Sequence, residues 1–119
     1  MRAVVGGVAD LCCVGVFVVI GRASHAEGET VAGVARTLWP FAAGLAAGWV
    51  VTRGWRRPGA ILPTGTGVWL STVAVGMVLR VVSGQGIAVA FVFVALAFLG
   101  LFMLGWRVLA RRFATSPPA

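Results

Sequence analysis

Ionisable side chains are scarce in this sequence. Of its 119 residues only 11% are charged, three are acidic and one is histidine, while tyrosine and lysine are absent. A typical soluble domain has about 25% charged residues, so an ordinary soluble domain is excluded. The net charge of +7 comes from arginines at the ends of apolar runs, and we therefore interpret it as a membrane-topology signal rather than a nucleic-acid-binding surface.

Residue patterns that carry known chemistry are also absent. Cys12 and Cys13 are adjacent, a poor geometry for a disulfide, and no further Cys or His stands at ligand spacing. His25 and Glu27 alone do not make a metal-ligand set. Because the sequence contains no nucleophile motif, phosphate-binding loop or paired-histidine motif, we expect neither an enzyme nor a bound cofactor or metal.

Four long apolar runs account for nearly the whole chain. A helix needs roughly 20 apolar residues to cross a bilayer, and the runs predict helices at about 3–20, 31–52, 67–82 and 87–106, with a frayed tail at 113–119. Because the first run is longer than the apolar region of a signal peptide and contains Asp10, we interpret it as a transmembrane helix rather than a cleaved signal peptide. We therefore predict one integral membrane domain, an all-α bundle of four transmembrane helices in the lipid bilayer.

The arginines predict how this bundle is oriented. One side would carry seven: Arg2, Arg53, Arg56, Arg57, Arg107, Arg111 and Arg112. The other side would carry three: Arg22, Arg36 and Arg80. Since positively charged segments remain in the cytoplasm, we expect both termini there, in a multi-pass plasma-membrane protein whose Gly21–Glu29 loop faces outward.

Small residues recur on one side of the second helix. Ala43, Gly44, Ala47 and Gly48 form overlapping small-xxx-small pairs, a pattern that lets another helix approach closely. Gly76 on the third helix shares a face with Trp69 and Thr72. These residues predict packing within the bundle or, as an alternative, the seam of a homo-oligomer.

Asp10 stands inside the first apolar run. An ionised carboxylate at the centre of a membrane helix costs about 2.5–3.5 kcal/mol, so we expect Asp10 to face the bundle interior. Its depth matches that of Ser71 and Thr72 on the third helix. Two hypotheses follow: an intramembrane proton or cation site formed by these three residues, or a structural hydrogen bond that Asp10 makes with Ser71, with Thr72 or with a helix end.

A second group of polar residues is expected at the outer mouth of the bundle. It comprises Arg22, Ser24, His25, Glu27, Arg36 and Arg80. These side chains either mark the membrane interface and snorkel to it, or form a site for a small anion or carboxylate, with His25 able to titrate near neutral pH.

Several of these segments together resemble a known family. These segments are Asp10 in the first span, Gly-Arg-x-Ser-His-x-Glu at 21–27, Arg-Thr-Leu-Trp-Pro-Phe at 36–41 and Gly-Met-Val-Leu-Arg at 76–80. The chain resembles, over essentially its whole length, a group of small actinobacterial membrane proteins known as domain of unknown function 3054. The resemblance implies four transmembrane helices in the plasma membrane, and it does not indicate any activity.

Two functions suit these features. The first is a small transporter, or a transporter subunit, with a polar site open to the outside. The alternative is a non-transporting accessory or assembly subunit that packs against other membrane proteins.

Overall fold

The computed structural model describes residues 2–24 and 30–113, which form four helices. The helices are α1 (Ala3–Ser24), α2 (Val31–Thr52), α3 (Thr66–Val82) and α4 (Val89–Phe113), and an irregular turn at Ile61–Gly65 leads into α3. All four are long and apolar enough to cross a membrane. The predicted all-α fold of four membrane-spanning helices is confirmed, and the chain is a multi-pass membrane protein.

Four helix ends differ from the predicted bounds. Helix α1 continues to Ser24 rather than residue 20, α3 begins at Thr66, and α4 runs from Val89 to Phe113 rather than from 87 to 106. Arginine favours helices almost as strongly as alanine does, so the arginines near the end of α4 do not stop it. Of the predicted tail at 113–119, Phe113 ends α4 and the remainder lies outside the described residues.

Local signals account for both ends of α2. Thr30 caps its N-terminus by accepting a hydrogen bond at 3.0 Å from the amide of Gly33, as N-cap threonines do. At its C-terminus Arg53 adopts the left-handed conformation with φ 52°, and the amide of Gly54 donates at 2.8 Å to the carbonyl of Trp49. A left-handed residue that turns the chain this way is a common helix ending.

The helices pack as a ring in which α1 and α3 each contact α2 and α4 but not each other. The α2–α3 contact is the closest, because two glycines on α2 have no side chain to hold α3 away. A Cβ on Gly44 would lie 2.8 Å from the carbonyl oxygen of Thr72, and one on Gly48 would lie 2.8 Å from the Cα of Val68. Small residues therefore serve this contact between two helices of one chain.

The other predicted packing residues take related positions. Gly76 on α3 admits the ring of Phe41, to which a Cβ there would approach within 2.6 Å. Ala43 and Ala47 are half-buried. With Gly44 and Gly48 buried inside the bundle, the face predicted as an alternative oligomer seam is occupied by α3.

Phenylalanine side chains fill the centre of the helix bundle. Phe17 packs edge-on against Phe41 at 5.6 Å between ring centres, and it contacts Phe91 at 5.8 Å and Phe98 at 5.4 Å. Aromatic pairs at these separations contribute beyond their buried area. This aromatic cluster (Phe17, Phe41, Phe91 and Phe98) separates two polar regions at opposite ends of the bundle.

Candidate functional site

The first polar region is a buried ion pair between Asp10 on α1 and Arg107 on α4. Nη2 of Arg107 lies 2.6 Å from Oδ2 of Asp10, and Nη1 lies 2.7 Å from Oδ1. Both side chains are 0% exposed. The two parallel bonds form the bidentate pairing for which the planar guanidinium is suited.

The remaining polar atoms of the ion pair are also hydrogen-bonded. The indole nitrogens of Trp49 and Trp106 each donate at 2.9 Å to the Asp10 carboxylate, one to each oxygen. Arg107 donates from Nε to the carbonyl of Pro58 and from Nη1 to the carbonyl of Met103, both at 2.9 Å. Each carboxylate oxygen thus accepts two hydrogen bonds, and the network ties α1 and α4 to α2 and to the α2–α3 connection.

Asp10 has different partners from those predicted. Ser71 donates instead to the carbonyl of Gly44 at 3.0 Å, and Thr72 donates to the carbonyl of Val68 at 2.7 Å. The expected hydrogen bond from Asp10 to either residue was wrong, because α1 and α3 stand across the ring from each other. The three residues do not come together as one intramembrane site.

Arg107 was predicted as a helix-end charge on the cytoplasmic side and is instead completely buried. A buried charge needs a partner of opposite sign and further hydrogen bonds. Asp10 supplies the opposite charge, while the Pro58 and Met103 carbonyls accept the other donors. The ring of Trp106 covers the guanidinium, whose carbon lies 4.4 Å from the ring centre.

The second polar region is a cavity of about 560 Å³ at the opposite end of the bundle. All four helices and the α3–α4 connection line it. Arg22 of α1, Arg36 of α2 and Arg80 of α3 are among its lining residues. We call it the arginine cavity.

Hydrogen bonds to neighbouring elements position two of these arginines. Arg22 donates from Nη1 to the hydroxyl of Thr37 at 2.9 Å. Arg80 donates from Nε to the carbonyl of Gly86 at 3.2 Å and from Nη1 to the side-chain oxygen of Gln85 at 3.3 Å. The guanidinium carbon of Arg80 also lies 4.7 Å from the ring centre of Phe91, within the range of a cation–π contact.

Gln85 connects the α3–α4 connection to α2. Its side-chain nitrogen donates to the main-chain carbonyl of Arg36 at 3.0 Å, while its side-chain oxygen accepts from Arg80. One amide therefore links the Arg80 side chain on α3 to the main chain of α2 at Arg36. Among the described residues, the Arg36 guanidinium itself has no hydrogen-bond partner.

The structure brings together half of the predicted outer cluster. Arg22, Arg36 and Arg80 line the same cavity. Ser24 ends α1, and His25 and Glu27 lie outside the described residues. Thr37 and Gln85 were missed because a single threonine and a turn glutamine carry no distinctive sequence pattern.

The model of the family described as "Protein of unknown function (DUF3054)" matches residues 7–110 of the chain. No curated protein and no solved structure matches the chain. The matched segment takes in both residues of the buried ion pair and all three arginines of the cavity. Since it covers well over half of the sequence, the chain belongs to the family described as Protein of unknown function (DUF3054).

Proposed function

We propose that this membrane protein is a small transporter, or a subunit of one, whose solute binds in the arginine cavity. The observation that carries the proposal is a cavity of about 560 Å³ to whose lining all four helices contribute. Binding sites for small molecules commonly measure about 300–1,000 Å³. A site to which every helix contributes can also respond to movement of any of them, as transport requires.

Charge supports the choice of this cavity. Ionisable residues in membrane helices are costly and usually mark solute pathways or binding sites. Asp10 and Arg107 neutralise each other and are fully hydrogen-bonded, which suits a structural role. The cavity arginines lie at the other end, in a space large enough for a ligand.

The orientation proposed for the bundle places the cavity on the outside of the plasma membrane. With Arg107 paired inside, six arginines are exposed on the end that carries the termini: Arg2, Arg53, Arg56, Arg57, Arg111 and Arg112. The cavity end has three. Six against three keeps the direction expected from the positive-inside rule, with both termini in the cytoplasm.

Uptake into proteoliposomes tests the transport proposal. The purified protein is reconstituted, and uptake of radiolabelled phenyl phosphate, succinate, glutamate, inorganic phosphate and choline is compared with that of protein-free liposomes. We expect accumulation of at least one anionic solute, reduced by Arg36→Gln and unchanged by Arg56→Gln, an exposed arginine at the opposite end. Absence of uptake for every solute would overturn the proposal and favour the accessory-subunit function.

A further inference from the structure

The cavity end of the protein has an excess of positive charge that the chain cannot neutralise. The sequence holds three acidic residues. Asp10 is already paired with Arg107 at the other end of the bundle, about 18 Å from Arg22 along α1, given 1.5 Å per residue. Only Glu27 and Glu29 remain, so three arginines minus two glutamates leaves at least one positive charge at this end.

Arginine side chains suit one class of partner particularly well. The guanidinium offers up to five N–H donors in a planar fork that matches the two oxygens of a carboxylate or phosphate. Such charge-assisted bonds are shorter and stronger than bonds between neutral groups. Arg36 reaches the cavity without a hydrogen-bond partner among the described residues, and Gln85 and Thr37 supply further polar atoms to the lining.

The rest of the lining is apolar. Four apolar side chains line the cavity together with the polar ones: Phe17, Val18, Ile87 and Phe91. Two of them, Phe17 and Phe91, belong to the aromatic cluster in the centre of the bundle. One water occupies about 30 Å³ in the liquid, so a cavity of about 560 Å³ exceeds by far the space that a bare inorganic ion needs. The apolar part calls for an apolar portion of the ligand.

From these features we infer that the arginine cavity binds an organic anion, in which a carboxylate or phosphate monoester is joined to an apolar group. The oxyanion contacts the arginines, and the apolar group lies against Ile87 and Phe91, which keep exposed surface in the lining. A soluble metabolite and the headgroup of an anionic lipid share this chemistry. The inference rests on the proposed function, because it takes the cavity as the solute site.

Titrations of the full chain in phosphatidylcholine nanodiscs test the inference through four soluble probes. Phenyl phosphate and benzoate carry both required groups, benzamide lacks the charge, and inorganic phosphate lacks the apolar group. We expect phenyl phosphate and benzoate to bind at least tenfold more tightly than their respective controls, and added salt to weaken binding by screening the charges. Equal binding of benzoate and benzamide, or of phenyl phosphate and inorganic phosphate, would overturn the inference.

A second arm distinguishes the two sources of the ligand. Phosphatidylglycerol is added to the nanodiscs, and the thermal unfolding midpoint is compared with that in phosphatidylcholine alone. A rise in the midpoint that requires Arg36, without binding of the soluble probes, would support an anionic headgroup as the ligand. Failure of both the soluble probes and the anionic lipid would overturn the site.

Arg36→Gln is the informative variant because the Arg36 side chain is exposed and its guanidinium has no hydrogen-bond partner within the described residues. The main-chain bond from Gln85 to the Arg36 carbonyl is kept in the variant, so we expect the fold to stay intact. Loss of one charge-assisted hydrogen bond to the ligand should weaken binding about tenfold. Arg56→Gln, the matched control at the other end, should bind like the wild type. Equal loss in both variants would show a general charge effect and refute a specific site.

Binding and transport can fail independently. Binding of the probes without uptake into proteoliposomes would sustain the anion site and remove the transport proposal. Uptake of choline or another non-anionic solute, without binding of phenyl phosphate or benzoate, would sustain transport and overturn the anion inference.

Discussion

Removing the charge of Asp10 should strongly destabilise the bundle. In Asp10→Asn the side chain keeps its size but loses one of two carboxylate oxygens, together with the two hydrogen bonds that this oxygen accepts. Bonds to a charged group contribute about 1.5–3 kcal/mol each, which agrees with the 3–5 kcal/mol typical of breaking a buried pair. The guanidinium of Arg107 would remain buried without an opposite charge.

A double-mutant cycle separates this pairing from other effects of the substitutions. Asp10→Asn and Arg107→Met are each expected to lower the free energy of unfolding by about 3 kcal/mol or more. The double variant should lose clearly less than the sum, because it leaves no unpaired charge. We expect a coupling free energy of about 2–3 kcal/mol, at the upper end for contacting residues.

The assay is reversible unfolding in mixed micelles, with helix content followed by circular dichroism. Arg111→Met, an exposed arginine one turn further along α4, is the matched control and should unfold like the wild type. Additive effects of the two substitutions, or a loss below about 1 kcal/mol for either single variant, would refute the stabilising role that we assign to the buried ion pair.

Three further predictions concern single positions. Trp49→Phe removes one hydrogen bond to the buried carboxylate and should cost about 1.5–3 kcal/mol in the same unfolding assay; no loss would refute the contribution that we assign to this bond. Gly44→Ala places a Cβ against a carbonyl oxygen of α3 and should lower the free energy of unfolding by about 1–3 kcal/mol. The control Gly15→Ala, whose added Cβ would meet nothing within 4 Å, should be tolerated. Equal effects of the two substitutions would refute the close α2–α3 contact. In a background without the native cysteines, Ser24→Cys should react with an impermeant thiol reagent in intact cells and Arg56→Cys only after lysis, and the reverse pattern would invert the proposed topology.

The sequence predicted the helices well because their signal is spread over many residues. Each apolar run is close to the length that a bilayer requires, and no tertiary contact is needed to detect it. The end of α4 was harder to predict, since Arg107, Arg111 and Arg112 all suggested a cytoplasmic boundary. Only Arg111 and Arg112 are exposed there.

The partner of Asp10 could have been found by comparing depths across the whole bundle. Asp10 lies seven residues from the start of α1, and Arg107 lies six residues from the end of α4. At 1.5 Å per residue both are about 10 Å from the same end. The match is visible only once α4 is allowed to continue to Phe113, whereas a helix ending at residue 106 leaves Arg107 outside the membrane.

The arginine cavity could be predicted only in outline. Topology alone predicts Arg22, Arg36 and Arg80 at one end of the bundle, and in the structure all three are among the lining residues of one cavity. The role of Gln85 depends on the conformation of the α3–α4 connection, where Gly84 and Gly86 adopt positive φ angles of 78° and 73°. A short turn of this kind has no periodic pattern from which side-chain direction could be deduced.

The most direct test of the account is the affinity for phenyl phosphate in three forms of the protein: the wild type, Arg36→Gln and the double variant Asp10→Asn/Arg107→Met. We expect about tenfold weaker binding for Arg36→Gln and wild-type affinity for the double variant, since the ion pair stabilises the bundle and lies far from the cavity. Unchanged binding in Arg36→Gln with loss of binding in the folded double variant would contradict it and place the ligand at the buried ion pair.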